Sequence, residues 1–600
     1  MTNILGMVST GISREGRDLL NHMQDKLLVF PWLQTTTFDN RALAINIAAI
    51  SAAPVTSSKN AAGDYSFVIG HMFTELPESQ NPAEHLLSLF TVRGIKAFEA
   101  NGDFYLAGIH TARGELLLST DTLGIFPLYY STHKASLIFS TTPGIIKQVL
   151  KTTPGVSTEG LVGILLTMHI IGEQTVWERI YRAKAGHVLQ WSKEGELRSH
   201  PVNVVAPSID YFGKSLQDCQ HLYHGTLADI CRFPSGNIAL LLSGGMDSRL
   251  VAGYMAHDHK SEFPCYTLGD ATDNEFYCAA GAAKELSLPY IGIPVGDSIE
   301  EESIRLAELQ AGMESLSNGF NDLSWWDVVG KTKGTDTTLY NGFVGDAAMG
   351  GSHIPWAYDK NFDDYVFQMM FTENNKWGLT PDQINKLFLP GQLGSAVENN
   401  IETLRSIYDD TDGLPFQQAW TYDLLNRQRF HVGACIWRLS FSFWPRTPFA
   451  DKRLLNLSAG MPGATMLERW TQRNILRTKF PALAKLPLDR NSADISPLTN
   501  PSRSARIKLN IRKLALERLR LKQNETRYYY RVYDLNNPVW RSIRKHSTRC
   551  HTPMPDMLDP TEYRTLIRED RENVTLEDGI TGASRIKTLL ALNFLTASKL

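Results

Sequence analysis

The alternation of apolar and polar positions divides the chain into two regions that predict different folds. Between residues 60 and 150, short apolar and aromatic runs are separated by turn-forming residues such as those at 101–103, a pattern typical of short strands. From residue 237 onward, apolar runs alternate with helical periodicity instead. The pattern there predicts strands at 237–242, 264–268, 289–294 and 338–343, and helices at 247–258 and 274–286. This alternation favours a parallel sheet with helices on both faces.

Two further segments are predicted to be helical. The apolar run 161–171 contains His169 and is about half as long as the ~20 residues of a membrane-spanning helix, so it predicts a buried helix. The segment 503–549 holds fourteen Lys or Arg residues against three acids. Its apolar residues recur at helical spacing, at Ile507, Ile511, Leu514 and Leu521. We expect a basic amphipathic helix packed on the body, whose basic residues form either a solvated face or a surface for an acidic partner.

Composition narrows the possible partners and the compartment. A chain of 600 residues is expected to form two large domains or three to four smaller ones, and a net charge of -3 does not favour nucleic acid or membrane as the main partner. Six cysteines lack the paired spacing of zinc sites or disulfide frameworks. The first residues contain no basic stretch followed by an apolar core, so we expect no secretory signal and a reducing, cytoplasmic setting.

The strongest chemical signal is a glycine loop between the strand 237–242 and the helix that follows. Gly244 and Gly245 allow the backbone to approach an anion closely, and the helix N-terminus supplies unpaired N–H groups. The hydroxyls of Ser243 and Ser248 add further donors. The loop therefore predicts a phosphate-binding site.

Two carboxylates beside this loop predict a magnesium site. Asp247 lies within the loop itself, where its charge would repel phosphate unless a cation lay between them. Asp346 follows the predicted strand 338–343 in a glycine-rich turn, and the carboxyl ends of parallel strands converge on one crevice. Because Mg²⁺ is usually held by one or two carboxylates plus phosphate oxygens, we expect Asp247 and Asp346 to bind it together.

The string Ser243-Gly244-Gly245-Met246-Asp247-Ser248 resembles the pyrophosphate loop of the N-type ATP-pyrophosphatases, and it lacks the Gly-Lys-Ser/Thr ending of the Walker loop. Other segments resemble the asparagine synthetase superfamily over roughly residues 60–490. Those similar to its glutaminase-like domain are 101–104, 121–130, 175–180 and 185–187. Those similar to its ATP domain are 267–269 with 273–275, and the Arg-x-Pro-Phe-x-Asp-x-Arg-Leu signature at 446–454.

The resemblance implies an α/β fold in three parts. Residues 1–205 would form an Ntn-type αββα glutaminase-like domain, and residues 206–500 a doubly wound parallel-sheet ATP-pyrophosphatase domain with a helical C-terminal region. Residues 501–600 would be a basic helical extension. It also implies ATP and Mg²⁺ as cofactors, with the pyrophosphate on Ser243 to Ser248 and Gly345 beside it. The residues implied at the adenosine are Leu241, Thr267 and Gly269.

Three positions depart from the family pattern. A working glutaminase domain of this family begins with cysteine after the initiator methionine, whereas this chain has Thr2, so we expect that domain to be catalytically inactive. Phe343 stands where asparagine synthetases have glutamate and β-lactam synthetases tyrosine, so another group, such as His353 or Lys508, must assist deprotonation of the amine. Arg490 replaces a family lysine; as a catalytic residue it would neutralise charge on the α-phosphate, because arginine is a poor proton carrier.

These features favour an enzyme that activates a carboxylate as an adenylate and lets an amine attack it. By family analogy, the missing glutaminase cysteine and the chain length favour a lasso-peptide macrolactam cyclase, acting on a precursor peptide and working beside a maturation protease. One alternative is asparagine synthesis, or formation of another small amide from a small carboxylic acid and ammonia. Another is a non-catalytic scaffold of a peptide-processing complex.

Overall fold

The computed structural model describes the chain except for residues 1, 10, 13, 29, 41, 78, 134, 151–153, 233–235, 259–262, 270, 295–335, 351–353, 359–362, 491–494, 501–502, 519–533, 537–540, 542–543, 545–555 and 598–600. Its strands form two six-stranded sheets in the N-terminal part and one five-stranded sheet in the C-terminal part. No described helix is both long enough and apolar enough to cross a membrane.

The N-terminal sheets are antiparallel and stack face to face. The first has the order β10-β8-β9-β1-β3-β2 and the second β12-β11-β7-β6-β5-β4. Their strands are β1 (Asn3–Ser9), β2 (Gln34–Asp39), β3 (Leu43–Ala49), β4 (Val55–Lys59), β5 (Tyr65–Gly70), β6 (Tyr105–His110), β7 (Leu116–Thr120), β8 (Tyr129–His133), β9 (Ser136–Ser140), β10 (Tyr181–Arg182), β11 (His187–Trp191) and β12 (Leu197–Pro201). Helices cover the outer faces: α1 (Arg14–Leu27) and α3 (Pro143–Val149) lie on the first sheet, and α2 (Pro82–Arg93) lies on the second.

The alternation of side chains along β5 explains this layering. Phe67 and Ile69 point into the core shared by the two sheets, whereas Val68 points into a second core formed with Leu86 of α2. Because successive strand residues face opposite sides, one strand contributes to both cores. The helix-sheet-sheet-helix order confirms the predicted αββα arrangement of the first domain.

The C-terminal sheet is parallel throughout, with the order β15-β14-β13-β16-β17. Its strands are β13 (Asn237–Leu241), β14 (Cys265–Gly269), β15 (Tyr290–Pro294), β16 (Thr337–Tyr340) and β17 (Trp444–Arg446). Ala239 and Leu339 belong to the core on one face, whereas Leu240 packs with Leu250 of the following helix on the other. Both faces are therefore covered, which confirms the predicted doubly wound α/β sheet.

Helices make up most of the rest of the described chain. Those before or within the parallel sheet are α4 (Thr158–Thr167), α5 (Leu216–Ile230), α6 (Met246–Asp258), α7 (Asn274–Glu285) and α8 (Gly345–Ala348). Those that follow are α9 (Asp363–Asn375), α10 (Pro381–Leu387), α11 (Ala396–Asp409), α12 (Pro415–Asp423), α13 (Gly433–Leu439), α14 (Lys452–Ala459), α15 (Gly463–Met466), α16 (Trp470–Lys479), α17 (Pro481–Ala484), α18 (Arg503–Arg518), α19 (Pro560–Leu566) and α20 (Ile580–Ala597). A π-helical stretch, Leu424–Val432, joins α12 to α13. The C-terminal region is helical, as predicted.

The helix predicted at 161–171 is buried, but it is displaced toward the N-terminus. α4 begins at Thr158, where Ser157 caps it by accepting a hydrogen bond from the N–H of Gly160. It ends at Thr167, because Met168 adopts a left-handed conformation with φ of 68°. The helix supports the core between the N-terminal sheets and α11.

The basic helix α18 contacts the body through a different face from the one predicted. Ile507, Ile511 and Leu514 are 58–61% exposed, so the expectation that these residues pack on the body is wrong; Leu521 lies outside the described residues. Arg512 makes the contact instead: its guanidinium lies 4.5 Å from the ring centre of Tyr277 and donates to the carbonyls of residues 272 and 273. The face of α18 that carries Arg512 therefore contacts the body through polar and cation–π interactions.

Candidate active site

The loop between β13 and α6 is closed by hydrogen bonds between its two serines. The Oγ atoms of Ser243 and Ser248 lie 2.7 Å apart, and Ser248 Oγ also accepts from the N–H of Ser243 at 3.0 Å. The N–H of Gly245 donates to Ser243 Oγ at 3.2 Å. The two hydroxyls therefore shape the loop at the N-terminus of α6, where helix N–H groups favour an anion.

A second segment, near residue 489, lies directly against this loop. A methyl group on Gly244 would lie 2.9 Å from Cβ of Asp489 and 2.9 Å from Cα of Glu275. The N–H of Asp489 donates to the carbonyl of Gly244 at 2.9 Å. Glycine at position 244 is thus required for the segment that carries Arg490 to reach the loop.

The loop after β16 brings the two predicted metal-binding carboxylates together. β16 ends at Tyr340, three residues before the predicted end, because the chain turns at Asn341. A methyl group on Gly342 would lie 2.5 Å from the backbone nitrogen of Ser248, and one on Gly345 would lie 2.6 Å from Cγ of Asp247. Two glycines therefore allow direct contact between the two loops and leave Asp346 beside Asp247.

The backbone of this second loop is strained next to Asp346. Val344 has a φ of 66°, a left-handed conformation that is rare for a β-branched residue. The carboxylate of Asp346 accepts a hydrogen bond from the N–H of Ala347 at 2.9 Å at the start of the short helix α8. Strain of this kind clusters at functional sites, because the surrounding packing must hold it.

Asp247 lies in an electrostatic environment of opposed influences. Burial raises its pKa to about 6; the guanidinium of Arg469 opposes this rise, and the neighbouring charge of Asp346 adds to it. Arg469 donates a hydrogen bond to Oδ1, and the amide of Gln472 donates to the same oxygen at 3.0 Å. Gln472 also donates to the carbonyl of Gly345 at 2.9 Å, which ties α16 to both loops.

A cavity of about 480 Å³ opens above these loops. Its charged lining consists of the carboxylates Asp247, Glu275, Asp346, Glu468 and Asp489 and the guanidinium groups Arg469, Arg473 and Arg490. Ser243, Gly245 and Met246 of the glycine loop form part of its wall. This set fits the implied cofactors, because carboxylates bind Mg²⁺ and arginines bind phosphate oxygens.

Arg490, predicted from its position in the sequence, lines the cavity near the segment 487–489. It is exposed and donates a hydrogen bond to the carbonyl of Pro497 at 3.3 Å. The residues predicted around the adenosine lie at the carboxyl ends of β13 and β14, and the described cavity lining does not include Leu241, Thr267 or Gly269. Thr267 donates to the carbonyl of Leu242 at 2.5 Å, which holds β14 against the start of the glycine loop.

Sequence reasoning missed Arg249, which links the glycine loop to the segment 483–487. It is 1% exposed and donates to the carbonyls of Leu483, Leu486, Pro487 and Gly244, with the shortest bond, 2.6 Å, to Pro487. Burial lowers its pKa to about 10. It follows Ser248 directly in the chain, but nothing in the local pattern indicates that its side chain turns inward.

Arg469, Arg473 and Glu468 were missed as well. Glu468 and Arg469 precede α16 in left-handed conformations, with φ of 50° and 59°. Arg473 pairs with Glu468 at 2.9 Å. Two successive non-glycine residues in this region of φ are unusual, and here they turn Arg469 toward Asp247.

Phe343 stands at the position of the family's acid–base residue, and Lys508 and His353 were predicted as its replacements. Phe343 is half-buried and packs against two apolar clusters. Lys508 lies exposed on α18, whereas His353 lies outside the described residues. Lys508 is not among the described residues that line the cavity.

Thr2 is the residue predicted to replace the family's nucleophilic cysteine. It is fully buried, and its backbone N–H donates to Oγ of Ser440 at 3.1 Å. Within the described part of the chain, its hydroxyl has no hydrogen-bond partner. Thr2 is thus enclosed against the segment after α13.

Comparisons with known proteins agree with these two halves. A family model described as a glutamine amidotransferase domain matches residues 73–201, and one described as asparagine synthase matches residues 234–531. A curated protein, Amidase chry2 of Gibberella zeae, is 25% identical over 253 residues, which is 38% of this chain and 34% of that protein. The chain thus matches about a third of the length of that relative.

Two solved structures are also similar. One is a glutamine phosphoribosylpyrophosphate amidotransferase from B. subtilis complexed with ADP and GMP, at 10% identity over 57% of this chain and 81% of that one. The other is an allosteric regulatory enzyme of purine biosynthesis, at 12% identity over 58% and 76%. Both have a TM-score of 0.23, which carries no argument about this chain.

Proposed function

This chain belongs to the asparagine synthetase superfamily, and from that membership we propose that it is an ATP-dependent carbon–nitrogen ligase. It adenylates a carboxylate, releases pyrophosphate, and lets an amine displace AMP to form an amide. The observation that carries the proposal is the contact between the two loops at Gly345, which puts Asp247 and Asp346 at the rim of one cavity with three guanidinium groups.

The chain's own residues would divide the work between cation and phosphates. Asp247 and Asp346 would hold Mg²⁺, which neutralises charge on the leaving pyrophosphate when it is bound. The N-terminus of α6 and the loop that contains Gly244 and Gly245 would bind phosphate oxygens. Arg249 would keep this loop in place by linking the carbonyl of Gly244 to the carbonyls of Leu483, Leu486 and Pro487.

Arg469 would exchange partners when nucleotide binds. In this structure the guanidinium of Arg469 pairs with Oδ1 of Asp247. The guanidinium thus lies where a cation bound to that carboxylate would lie. With Mg²⁺ held by Asp247 and Asp346, Arg469 would be free to join Arg473 and Arg490 at the phosphates. This exchange would couple arrival of the metal to completion of the phosphate site.

The amine would not be ammonia released from glutamine by the first domain. Thr2 replaces the nucleophilic cysteine of the family and is enclosed by the rest of the protein. The finer proposal is a macrolactam cyclase: an Asp or Glu side chain of a precursor peptide is adenylated, and the peptide's own N-terminal amine closes the ring. Exposed Glu468 and Arg490 at the cavity rim leave an entrance for a side chain of a larger substrate.

Amide formation from a bound peptide needs little acid–base assistance if the two ends are held together. Proximity alone can supply a large part of the barrier reduction, because a bimolecular step becomes intramolecular. This is consistent with Phe343 at the position where other members carry an ionisable residue.

A second candidate is a small-amide synthetase that uses free ammonia. The match of residues 234–531 to the asparagine synthase family favours it, because that match covers the whole of the candidate site. It differs from the first candidate in its substrates but uses the same activation chemistry.

One experiment distinguishes these candidates. Pyrophosphate release from ATP and Mg²⁺ is measured with linear peptides that carry an acidic residue at successive positions, and separately with aspartate plus ammonium. Peptide-dependent release with a product lighter by one water supports the cyclase, and release only with aspartate supports the second candidate. Absence of ATP binding by the purified protein would contradict both and favour a scaffold; Asp346→Asn serves as the inactive control.

A further inference from the structure

We infer that Asp103 of the N-terminal domain is a positioning residue for the loop that carries Asp346. It acts through a continuous line of contacts that crosses from the N-terminal sheets to the parallel sheet. In this role the N-terminal domain supports the site on the parallel sheet whether or not it hydrolyses glutamine. This role of Asp103 extends the proposed function, but the exchange experiment that tests the role does not require the proposed enzyme activity.

The first contact in this line is a buried ion pair between the domains. Asp103 and Arg446 are 1% and 6% exposed, and Oδ1 of Asp103 lies 3.5 Å from Nη1 of Arg446. The other carboxylate oxygen accepts a hydrogen bond from the N–H of Thr447. One carboxylate thus engages both the side chain at the end of β17 and the backbone that follows it.

The residues around Asp103 hold the same strand. The ring of Phe104 lies 5.3 Å from the ring of Trp444, and a methyl group on Gly70 would lie 2.8 Å from the Trp444 ring. The carbonyl of Asn101 accepts a hydrogen bond from the N–H of Lys452 at 3.2 Å. The N-terminal domain therefore contacts both ends of β17, at Trp444 and Arg446, and the backbone that follows the strand.

The next contact passes from β17 to the loop after β16. Arg446 pairs in register with Tyr340 in the parallel sheet. Its carbonyl accepts two hydrogen bonds from Asn341, one from the backbone N–H at 3.1 Å and one from the side-chain amide at 2.9 Å. Asn341 is fully buried, so its amide has no water to replace this carbonyl.

Asn341 then fixes the loop itself. Its side-chain oxygen accepts a hydrogen bond from the N–H of Phe343 at 3.1 Å, which sets the turn leading to Gly345. Gly345 is the residue packed on Asp247, and Asp346 follows it. A shift of Arg446 would therefore move the backbone on which the second carboxylate stands.

Asp103 reaches the loop through the side chain of Arg446, whose carbonyl binds Asn341. Removing the carboxylate's charge leaves the guanidinium of Arg446 buried without it, so Arg446 is expected to shift. The core under α2, which contains Leu86, is not part of this line. This distinguishes a positioning role from a general contribution to folding.

Hydrogen–deuterium exchange of the ligand-free protein tests the inference directly. In Asp103→Asn, amides in 341–348 should exchange about tenfold faster than in the parent, since couplings of this kind amount to a modest free-energy change. Leu86→Ala, which opens the separate core under α2, is the matched control and should leave exchange in 341–348 unchanged. Unchanged exchange in Asp103→Asn, or an equal increase in the control, would overturn the inference.

A double-mutant cycle keeps the test sharp. If Asp103 acts through Asn341, the variant Asp103→Asn/Asn341→Ala should exchange no faster in 341–348 than Asn341→Ala alone, whereas additive effects would overturn the line of contacts. Should Asp103→Asn fail to fold, Arg446→Lys, which keeps the charge but shortens the reach, replaces it with the same expected outcome.

Activity supplies an independent readout. Asp103→Asn should raise the Mg²⁺ concentration at half-maximal pyrophosphate release, and Leu86→Ala should not. If the parent protein releases no pyrophosphate, the proposed function fails while the exchange experiment still decides the role of Asp103.

Discussion

Arg469 donates a hydrogen bond to Asp247 across 222 residues of sequence, and this contact occupies the carboxylate that is proposed to hold a metal ion. The two side chains are 17% and 19% exposed, so the pair is only partly screened by water. The amide of Gln472 shares the same carboxylate oxygen. Arg469 and a metal ion are therefore expected to compete for Asp247.

This competition predicts a pH dependence. A carboxylate must be deprotonated to bind a metal ion, and burial raises the pKa of Asp247 to about 6. At subsaturating Mg²⁺, pyrophosphate release should fall as the pH drops through that value. Arg469→Gln should move the midpoint upward, because Arg469 lowers the pKa of Asp247. A midpoint that Arg469→Gln leaves in place would contradict the assignment.

The raised pKa of Asp247 also predicts how the stability of the ligand-free fold depends on pH. Ionisation of this carboxylate should destabilise the fold, whereas ionisation of a carboxylate in a surface ion pair stabilises it. The pKa of Asp247 is higher in the folded protein than the ordinary value near 3.9, so the protonated group favours folding at low pH and this contribution is lost as the pH rises through about 6. Asp247→Asn should therefore raise the melting temperature of the ligand-free protein at about pH 8 and change it little at about pH 4. A lower melting temperature at the higher pH would show that ionised Asp247 stabilises the fold.

Gly345→Ala should impair catalysis without disturbing the fold as a whole. The added methyl group would lie 2.6 Å from Cγ of Asp247 and would displace that carboxylate. We expect pyrophosphate release to fall by about 10²-fold, a loss typical of misplaced catalytic geometry. Gly281→Ala is the matched control, because a methyl group there meets nothing within 4 Å and position 281 lies within α7. Equal activity in the two variants would argue against contact between the loops at position 345.

Arg249→Met should destabilise the protein and the glycine loop together. The substitution removes the donor to four carbonyls, of which that of Pro487 is bound at 2.6 Å, and it should cost about 3 kcal/mol in unfolding free energy. Chemical denaturation measures this change, and Arg198→Met, which breaks an exposed pair with Glu196, provides the comparison. A cost no larger than that of Arg198→Met would mean that the loop does not depend on Arg249.

Thr2→Ala should leave the rate of amide formation within about twofold of the parent. Removing a hydroxyl that has no hydrogen-bond partner breaks no hydrogen bond and therefore costs little. The hydroxyl of Thr2 has no hydrogen-bond partner among the described residues, and the backbone contact to Ser440 does not involve it. The assay is amide formation with the substrate found in the peptide and aspartate panel. Loss of activity would assign the first domain a nucleophile after all.

The features that could be predicted from the sequence are those in which a short stretch contains both the residue and its reason. The glycine loop is one, because a strand, two glycines and a helix follow one another directly between Asn237 and Asp258 and determine the local geometry. The αββα layering was implied by the resemblance to the family's glutaminase-like domain, and in the structure the alternation along strands such as β5 agrees with it. Asp346 could be proposed because carboxyl ends of parallel strands converge.

The features that were missed depend on distant segments. Arg469 and Gln472 reach Asp247 from α16, and their own sequence surroundings contain no phosphate or metal motif. For α18, periodicity predicts an apolar stripe packed on the body, but the structure has Arg512 in cation–π contact with Tyr277. Neither the partner of a buried charge nor the face chosen by an exposed helix can be derived from spacing alone.

The most direct test of the central claim is the identity of the nucleotide product. ATP labelled at the γ-phosphate is incubated with the protein, Mg²⁺ and the substrate that supports amide formation, with Asp346→Asn as the control. The account predicts one labelled pyrophosphate and one unlabelled AMP for each amide formed, and neither product in the control. Labelled inorganic phosphate and ADP would contradict cleavage between the α and β phosphates, and with it the proposed role of the loop from Ser243 to Ser248.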